Sequence, residues 1–179
     1  MKSLLALSRG IDALNERLGY IANWLVLASC LISAGNAFSR YAFGASSNAW
    51  LEIQWYMFTA MVMLGTSYTL KKNEHVRVDI VFSNLPTRKQ IVVDIFGAIF
   101  FLLPATLIMA YLSWPIFNNS WVENEISANA GGLVRWPVKI FIPLGFALLS
   151  LQGISELIKR IAMLTGHMEA KLHYERPLQ

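Results

Sequence analysis

Four stretches of the chain are apolar for long enough to cross a bilayer, and polar segments separate them. These stretches cover about residues 18–38, 49–70, 91–114 and 138–158. The hydrocarbon core of a bilayer is crossed by about 20 helical residues, so each stretch predicts a transmembrane helix. Little of the chain remains outside them. We therefore expect an all-α membrane protein with one domain over residues 1–179.

Two further segments have patterns of their own. Before the first stretch, leucine and isoleucine recur at three- and four-residue steps, at Leu4, Leu7, Ile11, Leu14 and Leu18. This spacing predicts an amphipathic helix over residues 1–17, which would lie in the headgroup region of the membrane. The connection between the second and third stretches mixes valine and isoleucine with basic residues, and it predicts a short segment on the membrane surface.

The distribution of basic residues predicts the orientation. Of the 15 lysines and arginines, all but three precede the first stretch, connect the second to the third, or follow the fourth. The exceptions are Arg40, Arg135 and Lys139. Under the positive-inside rule, both termini are then cytoplasmic, with residues 159–179 as a cytoplasmic tail. The basic excess is explained by orientation, and we expect no binding of nucleic acid.

The residues that usually carry catalysis are sparse. Cys30 is the single cysteine, which leaves no disulfide or Cys-x-x-Cys site. The three histidines lie outside the apolar stretches, so they cannot provide haem ligands from facing membrane helices. No phosphate-binding loop, nucleophile elbow or zinc-ligand spacing is present. We expect no enzymatic activity, no metal site and no cofactor.

Glu52 is an ionisable residue inside the second stretch, which by default marks a functional position. It lies about one turn from the predicted outer end, where a helix N-terminus stabilises a negative charge by roughly 0.3–1 kcal/mol. Arg40 lies across the short turn and is the expected ion-pair partner. Two interpretations stay open: Glu52 orients and docks its helix, or it binds a proton or an ion. The first is favoured by its shallow position.

Other polar and proline positions predict local structure. Ser47 or Asn48 is expected to cap the second helix, and Pro104 is expected to kink the third. Asp94 lies in the first turn of the third helix. Glu156 precedes Lys159 and Arg160 by three and four residues, which predicts ion pairs on one helix face.

Several short motifs follow one another in an order that resembles a known family. They are Arg40-Tyr41-Ala42-Phe43-Gly44, Trp50-x-Glu52, Gly65 and HVRVDIVFSNLP from His75 to Pro86. In this order they resemble the small membrane subunit of tripartite ATP-independent periplasmic (TRAP) transporters, the DctQ-like family. The later run NAGGLVRWPVKIFIPLGFALLSLQGISELIKR looks like a branch of the same family.

This resemblance implies a function. A small permease subunit of this kind belongs to a sodium-coupled secondary transporter in the bacterial cytoplasmic membrane, which imports an organic acid delivered by a periplasmic substrate-binding protein. A large membrane subunit would carry the substrate and sodium sites. The small subunit would pack against it and extend its static scaffold, with membrane phospholipids around both.

Three groups of residues become candidate contact sites on this interpretation. Docking to the partner or structural roles are expected for Arg40, Trp50, Glu52 and Gly65. Contacts at the inner surface or with lipid are expected for Lys71, Lys72, His75, Arg77 and Asp79. Residues of the outer loop expected near the binding protein are Glu123, Glu125, Arg135 and Trp136.

Two alternatives remain. The chain could be a self-sufficient small dimeric transporter that couples ion movement to Glu52. It could also be a structural membrane subunit without a role in transport.

Overall fold

The structure, a computed structural model, describes residues 1–74 and 82–168. The expectations for His75, Arg77 and Asp79 lie outside the described residues. So do residues 75–81 of the predicted surface segment between the second and third helices and residues 169–179 of the tail.

All regular secondary structure among the described residues is helical. The α-helices are α1 (Lys2–Phe43), α2 (Asn48–Lys72), α3 (Thr87–Gly97), α4 (Leu103–Val122), α5 (Trp136–Lys139) and α6 (Phe141–Leu164). A 3-10 turn, Phe82–Asn84, precedes α3, and a π-helical turn, Ala98–Leu102, joins α3 to α4. The described part contains no β-strand, only an isolated bridge between Ile126 and Val134. The all-α prediction is confirmed.

Three helical segments of the described residues are long and apolar enough to cross a membrane. They are Lys2–Phe43, Thr87–Val122 and Trp136–Leu164. α2 has 25 residues and is long enough, but it is less apolar than these three. All four predicted stretches lie within helical segments, and the crossing of α2 stays a prediction.

Residues 1–17 do not form a separate helix. They are the first part of α1, which continues without a break for 42 residues. At 1.5 Å per residue this helix is about 63 Å long, roughly twice the thickness of the hydrocarbon core. The leucine face of this segment is partly exposed, whereas Ser8 and Asn15 on another face are buried. The segment is therefore held by its polar side.

α6 is the central helix, because it packs against α1, α2, α3 and α4. A small core forms where Ala22 of α1, Leu64 of α2 and Leu148 of α6 meet. Gly145 allows close approach: a Cβ at this position would lie 2.7 Å from Cβ of Met63 on α2. Small residues at such crossings are typical of helices that pack in lipid.

The irregularity expected at Pro104 is a π-helical turn. Pro104 has no N–H to donate to the carbonyl four residues earlier, so the regular α pattern is interrupted here. The N–H of Leu103 instead donates to the carbonyl of Ala98, five residues back. Pro115 lies inside α4, which continues to Val122, past the predicted end of the third stretch.

The connections lie at two opposite ends of the bundle. At one end, Lys71 of α2 contacts Asp12 of α1, and Arg160 of α6 contacts Asp94 of α3. At the other end, the amide of Asn48 donates to the carbonyl of Ala130. We name these the inner and outer ends, after the orientation that the basic residues predict.

Candidate functional site

Glu52 is buried at the outer end, with 3% of its surface exposed. It lies in the second turn of α2, after the Ser47 side chain caps the helix by accepting a hydrogen bond from Ala49 N–H, as predicted. Its carboxylate accepts three hydrogen bonds from the loop that precedes α5. The donors are the hydroxyl of Ser127, Nδ2 of Asn129 at 2.7 Å and the backbone N–H of Leu133 at 2.7 Å. We call these four residues the outer latch.

The expected ion pair between Arg40 and Glu52 is not formed. Arg40 is exposed at the end of α1, and the partners of Glu52 are neutral donors of the loop. Arg40 is the nearest cation along the chain, but the fold brings a loop about 80 residues away over the start of α2. A carboxylate with three donors is satisfied without a cation.

The latched loop has a defined backbone shape. Ser127 N–H donates to the carbonyl of Leu133 at 3.0 Å, and Arg135 N–H donates to the carbonyl of Glu125 at 2.8 Å. Gly131 adopts a φ of 69°, a conformation that favours glycine. A Cβ at Gly132 would lie 2.5 Å from Cβ of Ser127. The glycine pair therefore allows the tight return that brings Leu133 to Glu52.

Beside the latch, Glu125 binds two cations of its own chain. Its carboxylate accepts from Nζ of Lys139 and, at 3.3 Å, from Nη1 of Arg135. The hydrogen bond from Lys139 is the largest cause that lowers the pKa of Glu125 to about 2. Trp136 packs edge-on against Trp121, with 4.3 Å between ring centroids.

The residues expected to contact partners at the outer end thus divide into two groups. Glu52, Glu125 and Trp136 contact other parts of this chain. Glu123 and Arg40 are exposed, and Trp50 is 51% exposed. Gly65 faces α1, where an added Cβ would meet Cβ of Ala22 at 3.9 Å, an ordinary packing distance.

A second polar cluster, at the inner end, joins α1 to α6. Oδ1 of Asp12 accepts from Nε2 of Gln152 at 2.9 Å and from the hydroxyl of Ser155 at 2.8 Å. Oδ2 of Asp12 lies 3.1 Å from Nζ of Lys159. Asn15 donates to Oε1 of Gln152 at 2.7 Å. We call these five residues the inner network.

The end of α2 is attached to the same region. Nζ of Lys71 lies 2.9 Å from Oε2 of Glu16 and donates to the backbone carbonyl of Asp12 at 3.0 Å. Lys72 lies over the ring of Tyr68. Both lysines expected at the inner surface therefore have contacts within the chain.

The predicted charge pairs on α6 are confirmed in part. Glu156 binds Lys159 at 2.5 Å, three residues away on the same helix. Arg160 binds Asp94 of α3 instead of Glu156, with 3.3 Å between Nε and Oδ2. Asp94 thus contacts a cation on another helix. Contrary to the prediction, it is not in the first turn of its own helix, because α3 begins at Thr87 and Asp94 is its eighth residue.

Sequence reasoning missed the inner network. A signal was present, because Ser8, Asp12 and Asn15 recur at four- and three-residue steps on α1, as do Gln152, Ser155 and Lys159 on α6. The prediction from the leucine spacing placed the leucine face of residues 1–17 in the membrane and their polar face in water. In lipid, the polar face is the one that needs a protein partner.

The contacts in the two clusters stabilise the fold of this chain. In the outer latch and the inner network, carboxylates accept from hydroxyls, amides and ammonium groups of the same chain. In the part of the chain that the structure describes, no group of three or more His, Cys, Asp or Glu side chains is arranged to hold a metal ion. The geometry is suited to fixing helices and a loop in place.

Comparison with known proteins gives one result. Neither the curated proteins nor the solved structures include a significant match to the chain. The family model described as "Tripartite ATP-independent periplasmic transporters, DctQ component" matches residues 29–163, which contain the outer latch, α2 to α5 and nearly all of α6. The chain therefore belongs to the DctQ family of small membrane components of TRAP transporters.

Proposed function

We propose that the chain is the static small permease subunit of a sodium-coupled transporter that imports an organic acid across the bacterial cytoplasmic membrane. All four long helices cross the bilayer, with both termini in the cytoplasm. The chain packs against the large membrane subunit and widens its immobile scaffold. A periplasmic binding protein delivers the substrate, and the large subunit moves it.

One observation carries this proposal: at each end of the bundle, the polar groups bind other polar groups of the same end. The outer latch fixes a loop, the inner network fixes helices, and Ala22, Leu64 and Leu148 form an apolar core between them. A transport path needs polar groups at membrane depth that face a water-filled cavity. A chain cross-linked at both ends, with no charged side chain in the middle of its spans, suits a scaffold better.

Reconstitution tests the proposal. Vesicles containing this chain together with the large subunit, with binding protein and an organic acid outside, are expected to take up substrate when a sodium gradient is applied. Vesicles containing either membrane subunit alone are expected to show background uptake. Ion-driven uptake by the lone chain would contradict the proposal.

The self-sufficient transporter is less well supported by the geometry. Its central carboxylate, Glu52, is 3% exposed and accepts three hydrogen bonds from its own loop. A coupling site must release and rebind its ion in each cycle, which would require the latch to open each time. If Glu52→Gln left assembly intact but abolished coupled uptake, the coupling function would be favoured instead.

The outer loop is the part of this subunit that we assign to contact with the binding protein. The latch and the Glu125 ion pairs hold the loop in one shape, and Glu123 and Arg135 remain accessible to a partner. Reversing the charge of Glu123, by Glu123→Lys, is expected to raise the binding-protein concentration needed for half-maximal uptake, and it leaves the ion pairs of Glu125 with Arg135 and Lys139 in place. Unchanged dependence on binding protein would remove this assignment.

A further inference from the structure

A cleft of about 730 Å³ lies on the inner half of the bundle, between α2 on one side and α3 with the π turn on the other. Leu149, Leu157 and Arg160 of α6 form its floor. In the described chain α6 packs against α2, α3 and α4, whereas α2 is not a main neighbour of α3 or α4. The volume lies within the range of about 300–1,000 Å³ that is typical of ligand sites.

The length of the cleft matches one leaflet of the bilayer. Its lining on α2 runs from Met61 to Asn73, which is the residue at the inner end of that helix. Twelve residues of helix extend about 18 Å. Half of the hydrocarbon core is about 15 Å thick. The cleft therefore reaches from headgroup depth to near the middle of the membrane.

The deep part of the cleft is apolar. Met61, Val62 and Leu102 line it, together with Leu149. Thr66 and Thr69 also line it, but their hydroxyls donate to carbonyls four residues earlier on α2, at 2.6 and 3.1 Å. An occupant in this part consequently meets hydrocarbon groups.

The inner mouth is charged, because Arg160 lines it together with two carboxylates, Asp94 and Glu156. Glu156 is paired with Lys159 on the same helix. Arg160 pairs with Asp94 through Nε, which leaves the Nη groups of the guanidinium as further donors. Arginine in this state suits a phosphate oxygen, because charge-assisted hydrogen bonds to phosphate are short and strong. A guanidinium and two carboxylates at headgroup depth, with an apolar channel above them, are complementary to a phospholipid whose headgroup carries both a phosphate and an amine.

We propose that this cleft binds a phospholipid of the inner leaflet, with one acyl chain against the apolar lining and its phosphate at Arg160. A helix of the large subunit is the alternative occupant, and the experiments below distinguish it from a lipid. The proposal goes beyond assembly of the transporter, since it assigns a ligand to this chain alone.

Lipid retention by the full-length chain tests the proposal. The chain is purified in mild detergent with a defined phospholipid, and bound lipids are counted by native mass spectrometry. The unaltered chain is expected to keep one phospholipid. Gly97→Leu puts a side chain into the cleft, because Gly97 lines it and an added Cβ there has no neighbour within 4 Å. Each pair of methylene groups kept out of the cleft weakens binding by about tenfold, so retention should fall at least that much.

Gly10→Leu is the matched control. Gly10 is also a helical glycine whose added Cβ meets nothing within 4 Å, and it does not line the cleft. This variant is expected to keep the lipid. No lipid on the unaltered chain, or equal retention by Gly97→Leu, would overturn the proposal.

A second pair of variants tests the phosphate contact and stands even if Gly97→Leu fails to fold. Asp94→Asn keeps Arg160 and is expected to retain the lipid. The double variant Asp94→Asn with Arg160→Gln removes both charges of the pair and is expected to lose it. Inorganic phosphate should not displace the lipid, because it lacks the acyl chain; displacement by phosphate would overturn the proposal.

The last experiment adds the large subunit to the lipid-bound chain. If adding it displaced the lipid, the cleft would belong to a helix of that subunit, and the lipid proposal would be wrong. Co-purification of the two subunits is scored separately, so a failure of the lipid proposal is distinguishable from a failure of assembly.

Discussion

The inner network and the outer latch both use a carboxylate to join distant parts of the chain, but they join different kinds of structure. At the inner end, Asp12 connects two helices through Gln152 and Lys159, 140 and 147 residues along the chain. At the outer end, Glu52 connects a helix to a loop. The first arrangement resists sliding of helices, and the second fixes the shape of a surface.

The difference shows how a mostly apolar chain uses its few charges. A charge costs least near the headgroups, and both carboxylates lie near an end of the bundle. At the inner end a cation completes the cluster, whereas at the outer end neutral donors suffice. We therefore expect the inner end to control global stability and the outer end to control local loop order.

The largest effect is expected from Asp12→Ala. The substitution leaves Gln152, Ser155 and Lys159 without their common acceptor, and unfolding in detergent should become easier by about 2–3 kcal/mol. The figure is below that of a fully buried pair because Asp12 and Lys159 keep 19% and 17% of their side chains exposed. Glu123→Ala, an exposed acid at the outer end, is the control and should have little effect. Equal losses of stability in Asp12→Ala and Glu123→Ala would contradict a greater contribution of the inner end to global stability.

The next effect concerns the packing between the two polar ends. Gly145→Ala places a Cβ 2.7 Å from Cβ of Met63 and 3.0 Å from the Met63 carbonyl oxygen. Such overpacking is expected to destabilise the bundle by about 1–3 kcal/mol, measured by thermal unfolding in detergent. The same change at Gly10, which has no neighbour within 4 Å, should stabilise α1 by up to about 1 kcal/mol. Effects of the same sign would contradict the packing argument.

Breaking the outer latch should have a local effect. Glu52→Gln replaces one acceptor oxygen by a donor group, so the contacts from Ser127, Asn129 and Leu133 cannot all persist. Amide hydrogen exchange over residues 126–134 is expected to speed up by about tenfold, while exchange in α6 stays unchanged. Gln54→Ala is the matched control, because Gln54 binds only the Trp50 carbonyl of its own helix. Faster exchange at the inner end would show that the two ends are not independent.

The smallest effect is a pH dependence of the outer loop. The pKa of Glu125 is lowered from 4.5 to about 2, so its ion pairs stabilise the folded loop fully above about pH 4.5. This stabilisation should be lost as the pH falls from about 4.5 towards 2. Fluorescence of the Trp121–Trp136 pair reports it, and Glu125→Gln should reduce the pH dependence in this window. An unchanged titration in the variant would assign the effect to another group.

Much of the fold was predictable because it depends on local rules. The approximate position of each apolar stretch follows from apolar length, the cap at Ser47 from its hydroxyl, and the Glu156–Lys159 pair from a spacing of three residues. The DctQ family followed from the order of short motifs. Each of these signals is contained in a few neighbouring residues.

The candidate site was predictable only as a set of residues. Glu52 was recognised as unusual, but its partner was assigned to the nearest cation, Arg40, when the fold supplies a loop instead. The amphipathic pattern of residues 1–17 gave no contact for Asp12, which joins α1 to α6. Both errors concern contacts between residues that are far apart in sequence.

The sequence by itself determined how many long apolar helical segments form and which family the chain belongs to, but not that α1 begins at Lys2 or that α4 continues to Val122. Only the tertiary structure decided which face of α1 is covered, which groups satisfy Glu52 and Asp12, and that α6 is central. The physical reason is that lipid accepts apolar side chains as readily as a protein interior does. Hydrophobic spacing therefore identifies a membrane helix without showing which side meets its neighbours, and the long-range polar contacts make that choice.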